Sequence, residues 1–154
     1  MKLIDISSPK HPRTFVKVDD ADYDWLNQWK WRVFIALGRK YVSRKRNTIL
    51  MHRFIMETPK GMVTDHRDNN GLNNQRCNLR VCTYSQNLYN QRSKKKYKGV
   101  FKDREPYGWH AAIRANGKLI HLGSFRKEID AAKAYNAAAK IFHGEFAYLN
   151  KIPK

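Results

Sequence analysis

The sequence predicts an α+β protein in three blocks: a β-rich N-terminal cap, a strand–loop–strand–helix block, and a three-stranded antiparallel sheet packed on one helix. Three observations carry this. Asn116-Gly117 separates two strand-like runs and is a strong two-residue hairpin signal. The residues after Phe125 switch to helical spacing. The stretch from Asp65 to Asn74 has turn composition without an apolar period and lies between two short apolar pieces.

Residues 1–50 form the expected cap, with strand-forming patches at Thr14 to Val18 and Arg39 to Ser43. Between them, Asp19 to Leu26 reads as an N-capped helical turn, acidic where the helix dipole favours negative charge. Trp25, Trp29 and Trp31 follow closely and are expected in the core. The second block spans 51–92. Gly61 to Thr64 and Leu79 to Cys82 are its strands, and Thr83 is the N-cap of the helix that follows. Residues 93–96 form a basic linker inside the polar run Gln91 to Lys96.

The third block covers 97–150. Lys98 to Lys102, Gly108 to Ala115 and Lys118 to Phe125 are its strands, and Arg126 to His143 its helix, ended by Gly144. Ile129, Ala132, Tyr135, Ala139 and Phe142 would form the buried stripe. Strand alternation turns Trp109, Ala111, Ile113, Ile120 and Leu122 toward that helix, leaving His110, Ala112, Arg114, Leu119 and His121 on the opposite face.

Lys and Arg number 31 against 13 Asp and Glu, a formal net charge of +18, which points to a polyanionic partner. With 42% hydrophobic residues, this is a folded cationic protein and not a disordered basic tail. The charge is uneven: residues 1–26 carry four basic side chains against five Asp, whereas 92–126 carry ten against Asp103 and Glu105. The polyanion belongs mainly to the later segments. No run approaches the roughly 20 apolar residues of a membrane span, and the N-terminus lacks a signal-peptide run, so the expected location is cytoplasmic, in cytosol or nucleoid. Cys77 and Cys82 lack the spacing and the second pair of a zinc ribbon, and are expected as reduced core thiols.

The chemistry concentrates in the middle block. Asp65 and His66 sit at a strand end, with Asn78 and Asn87 downstream. A carboxylate and an amide oxygen are hard ligands for one divalent ion, Mg²⁺ or Mn²⁺, and a neutral imidazole beside them can deprotonate water. Arg67, Arg76 and Arg80 are expected phosphate neighbours. His52 and Arg53 fit equally well near a phosphate or on a helix packed behind the site.

These residues resemble the HNH endonucleases of the phage and intron type, whose site is a ββα-metal module. The match runs through Met51 to Met56, Gly61 to His66, Leu72-Asn73-Asn74, Asn78 to Thr83 and Ser85-Gln86-Asn87. The resemblance implies His66 as general base, Asp65 and Asn87 as metal ligands, and Asn78 as the residue that braces the loop and orients base or phosphate. Asn87 stands where the family often has His, a variant of the homing-type branch. That branch is phage-borne, which implies a bacterial host.

The third block resembles the AP-two/ERF DNA-binding domain of plant ethylene-response factors, through Tyr97 to Val100, Trp109 to Arg114, Leu122 to Phe125, Ala131 to Tyr135 and His143 to Asn150. The resemblance implies a sheet whose exposed face enters the major groove of double-stranded DNA. Arg114 is then the best base reader, with His110 and His121 on the same face, and Lys98, Lys102, Arg104 and Lys118 suit phosphates. Lys98, Phe101 and His121 replace arginines and a tryptophan of the plant domains, so their target does not transfer.

Together the readings predict a homing-type DNA endonuclease that nicks as a monomer, tethered to duplex DNA by its C-terminal module. The alternatives are a DNA-binding regulator on an inactive nuclease scaffold, and a structured-RNA-binding protein that the charge fits equally well.

Overall fold

Two- and three-stranded sheets cannot bury an apolar face alone, so each must share a core with its neighbours. The computed structural model describes residues 1–46, 48–103 and 108–153 and divides into two units, Met1–Asn87 and Leu88–Lys154. The proposed phosphate contact Arg104 lies outside the described residues.

In the first unit, β1 (Lys2–Asp5) pairs antiparallel with β2 (Phe15–Val18), followed by α1 (Asp20–Asn27). A second sheet has the order β3–β4–β5, from Arg32–Ala36, Arg39–Arg44 and Ile49–Leu50. The short helix α2 (Met51–Ile55) leads into β6 (Val63–His66), which pairs with β7 (Leu79–Cys82), and α3 (Tyr84–Asn90) follows. Thr83 closes a reciprocal capping box on α3: its Oγ1 accepts from the Gln86 N–H and its own N–H donates to Gln86 Oε1.

One core serves the whole unit. Ile4, Val16, Val18, Leu26, Trp31 and Val42 pack with Met51, Ile55 and Leu79, so the two blocks that the sequence separates at residue 50 are joined by shared burial. The tryptophans divide. Trp31 is buried and Trp25 packs on the core, whereas Trp29 is 45% exposed under the Arg44 guanidinium, 3.8 Å from its ring. Of the two expected core thiols, Cys82 is buried but Cys77 is exposed on the 3₁₀ turn Arg76–Asn78.

In the second unit β8 (Val100–Lys102), β9 (Trp109–Ala115) and β10 (Lys118–Phe125) form an antiparallel sheet in the order β10–β9–β8, and α4 (Glu128–His143) packs on it. The hairpin turns at Asn116-Gly117, both at positive φ. Alternation predicts the faces of Ala111 and Ile113, buried with α4, and of Arg114, Leu119 and His121, exposed, but Ala112, expected on the open face, is 7% exposed and buried. The helix stripe differs at its ends. Ile129 and Phe142 are 37% and 44% exposed, and Ala131 and Ala138 are buried in their place. Close approach explains this: the ring of Tyr135 lies so near Gly99 that a Cβ there would come within 2.0 Å of it, and only small side chains fit beside such a contact.

Asn150 ties the segment after α4 to Lys98, ahead of β8, and to α4. It accepts from the Lys98 N–H, donates to the Lys98 carbonyl, and exchanges two bonds with Asn136. Among the described residues no helix is long and apolar enough to cross a membrane.

Candidate active site

The loop between β6 and β7 has turn composition, yet it is held rigidly from three sides. From β2, Lys17 donates to the Leu72 carbonyl and accepts from the Asn74 N–H. From β4, the backbone of Lys40 approaches Gly71 so closely that a Cβ there would lie 2.2 Å from the Lys40 oxygen. From within, Asn78 Nδ2 donates to Asp68 Oδ1 and to the Asn73 carbonyl, while its Oδ1 accepts from the Asp68 N–H. Asn78 therefore braces the loop, and it does not line the cavity described next.

That cavity, of about 240 Å³, is lined by Asp65, His66 and Asn87 together with His52, Arg53, Arg39, Tyr41 and Asn69. Strand β6 delivers Asp65 and His66 and α3 delivers Asn87, so three of the four proposed catalytic and metal-binding residues meet at one hollow. Both Asp65 and His66 are buried. Arg80, directly across the ladder from Asp65, sends Nε and Nη2 to Asp65 Oδ2 at 2.9 and 2.7 Å.

His66 is held by Asn74, which the sequence reads only as a turn former. Asn74 is fully buried, and its Nδ2 donates to the Gly71 carbonyl, which turns Oδ1 toward His66 Nε2 at 3.5 Å. An amide oxygen only accepts, so this contact favours the neutral tautomer with the proton on Nε2 and the lone pair on Nδ1. Burial pushes the His66 pKa below the ordinary histidine value, against the opposing pull of the Asn74 bond and of the Asp68 and Asp65 charges. The ring is therefore a neutral base at pH 7.

His52, from α2, lies edge-on to His66 with ring centroids 4.8 Å apart, and Tyr41 flanks both rings. Burial first, then repulsion from His66 when that ring is protonated and from the Arg53 charge, brings His52 down to about 3. Its Nδ1 is buried without a hydrogen-bond partner. His52 thus lies buried on α2 against the cavity, while Arg53 both lines the cavity and donates to the Met62 carbonyl at 2.8 Å. Tyr41 and Arg39 were not legible as site residues because a strand pattern does not say which loop it faces.

Three proposed phosphate contacts have framework tasks instead. Arg80 is buried against Asp65. Arg76 forms a bidentate pair with Asp22, at 2.8 Å on each oxygen, while its N–H donates to Asp19. This also corrects the expected N-cap, since the Asp19 side chain makes no bond within α1. Lys98 Nζ donates to the Leu88, Tyr89 and Gln91 carbonyls at the end of α3. Arg67 lies exposed at the start of the loop, and its N–H donates to the Asn78 carbonyl. Arg114, Lys102, Lys118 and His121 are exposed on the second unit's sheet, where Phe101, His110 and His121 stack in a row at 5.1 and 5.9 Å. His110 Nδ1 lies 2.6 Å from Asp103.

Asp65 and Asn87 offer hard oxygen donors among the residues that line the cavity, the chemistry that Mg²⁺ or Mn²⁺ accepts. Among the described residues no group of three or more His, Cys, Asp or Glu is placed to hold a metal. A bound ion would thus keep water or phosphate oxygens in most of its shell, as Mg²⁺ commonly does.

Residues 52–89, the segment that builds this cavity's floor, match the family model described as HNH endonuclease. An uncharacterized HNH endonuclease of Acanthamoeba polyphaga mimivirus is 32% identical over 145 residues, covering 90% of this chain and 76% of that protein. Protein 3.8 of Escherichia phage T7 is 30% identical over 93 residues, covering 58% of this chain and 76% of its own length. No solved structure matches. The chain belongs to the HNH endonuclease family and is a nuclease enzyme. The family implies DNA as substrate and generally uses a divalent metal ion.

Proposed function

We propose that this protein is a homing-type HNH endonuclease that nicks one strand of duplex DNA as a monomer, with the second unit tethering it to the duplex. The observation that carries the reading is the convergence of Asp65, His66 and Asn87 on one cavity, with His66 buried and neutral. Asp65 and Asn87 would hold one Mg²⁺ or Mn²⁺, which when bound polarises the scissile phosphate and stabilises the leaving oxygen.

The chain's own residues do the rest. His66 accepts a proton at Nδ1 from the attacking water, and Asn74 keeps the ring in the tautomer that leaves Nδ1 free of hydrogen. Arg80 fixes the rotamer of Asp65 through Oδ2. Asn78 keeps the loop carrying Asn74 closed. On the second unit, Arg114, on the face that α4 leaves open, is the proposed base reader, and the exposed Lys102 and Lys118 are the proposed phosphate contacts.

The test is conversion of supercoiled plasmid to open circles with Mg²⁺ or Mn²⁺, beside the His66→Ala variant and a chelator control. Nicking by the wild type that vanishes in both controls is the expected result. A plasmid that is shifted but stays uncut on a range of targets would place the protein among DNA-binding regulators.

A further inference from the structure

The β3–β4 hairpin carries a feature that the nuclease chemistry does not use. Its two-residue turn is Leu37-Gly38, with φ of +51° and +74°, between the paired residues Ala36 and Arg39. Two successive positive φ values define the type I′ hairpin loop, whose first position favours Asn, Asp or Gly. Leucine there is strained, because at positive φ its Cβ crowds the following carbonyl oxygen. Its side chain is also 94% exposed, so no packing offsets the strain, and Ile35, two residues earlier on the same strand, is 53% exposed. A strained residue kept where it packs against nothing points to use in a complex.

Position and charge say which complex. Phe34, Ala36, Arg39 and Tyr41 of this hairpin line the cavity that holds His66, so the bare tip lies on the rim of the catalytic hollow. Arg32 and Lys40 are exposed on the same two strands, and the protein's +18 charge suits the same partner. An apolar tip with Lys40 close behind it and Arg32 at the far end of the same strand pair, beside a site proposed to receive a backbone phosphate, matches the way apolar wedges enter the minor groove and part a base step.

We propose that Leu37 is a wedge that inserts between base pairs of duplex DNA beside the scissile phosphate, unstacking one step and kinking the duplex, by about 20–90° as such wedges do. The cations hold the flanking phosphates while the leucine opens the step, which presents one strand to the cavity. This rests on the reading that the cavity acts on duplex DNA, but wedge insertion itself needs neither metal nor cleavage.

The test uses that separation. Closed circular plasmid is relaxed by a metal-independent topoisomerase in chelator, with saturating full-length protein, and the topoisomers are resolved after protein removal. Wild type is expected to leave the distribution shifted toward unwinding. Leu37→Asn, which relieves the turn and folds at least as well by thermal melt, is expected to bind the plasmid and lose the shift, and Leu37→Phe to keep it. An unchanged shift with Leu37→Asn, or a wild type that binds without any shift, overturns the wedge. Nicking assays with Mg²⁺ report on the nuclease reading separately, since a protein that unwinds without cutting contradicts that reading alone.

Discussion

The two units bury different kinds of residue. The first places Asp22, Asp65, His52, His66, Asn74, Asn78 and Arg80 below the surface, each held by neighbours or pressed against another ring. The second buries chiefly alanines, valine, isoleucine and tyrosine, and keeps Arg114, Lys102, Lys118 and His121 outside. Buried polar groups cost stability unless satisfied, so the first unit invests in a fixed chemical centre and the second in an exposed surface. Chemistry needs a dry, preorganised hollow, whereas the proposed tether would need reachable charge.

The largest expected effect that sharpens this contrast is catalytic. His66→Ala should lower plasmid nicking by roughly 10²–10⁴-fold, the usual contribution of a general base, with plasmid binding retained. The combined Lys102→Ala and Lys118→Ala variant should do the reverse, weakening binding and flattening its salt dependence. If both changes reduced binding and rate alike, the division of labour would fail.

Next is Arg80→Met, which strands the Asp65 carboxylate in the interior and should cost about 3–5 kcal/mol. Hydrogen exchange should show the loss confined to amides of 1–87, with those of 88–154 protected as before.

Acid separates the units more gently. His52 is pulled down to about 3 in the fold, against an ordinary value of 6.5. The unfolded chain therefore binds a proton that the folded one refuses, and stability contributed by the neutral ring is present above 6.5 and lost as pH falls from 6.5 toward 3, by up to about 1.4 kcal/mol per pH unit. Urea melts followed by the tryptophans of the first unit should show this slope, and His52→Phe should flatten it. The neutral His66 gives a matching kinetic outcome: nicking should persist below pH 6.5 before its acid limb appears, because burial keeps that ring deprotonated. A limb above 6.5 would contradict the burial argument.

The smallest expected effect lies in the second unit. Asn150→Ala removes two hydrogen bonds to the Lys98 backbone and should cost about 1–3 kcal/mol, seen as faster exchange around 97–103 with no change in nicking per bound molecule.

Legibility in the sequence followed the same division. Strand β7, strand β10 and the Asn116-Gly117 turn were readable to the residue, because alternation and turn chemistry are local. Asp65, His66 and Asn87 were readable as a set through their motif. What could not be read were partnerships across long separations. Arg76 and Arg80 look like free cations until Asp22 and Asp65 are found beside them, and Asn74 looks like a turn former until His66 is seen above it. The strands β1 and β3 were missed because Leu3 and Ile35 put apolar side chains on the exposed face, which blurs the alternation. Leu37-Gly38 carries a signal of its own, an apolar residue in a hairpin loop, but only the positive φ makes it visible.

The hydrogen bonds that Lys17 donates to Leu72 and accepts from Asn74 set a limit on portability. A recombination or engineering event that moved residues 52–89 alone into another scaffold would carry every motif residue and leave behind the strand against which the catalytic loop is moulded. The transplant would keep the signature and lose the enzyme, so the heritable unit of activity here begins at the first strand and not at the first histidine.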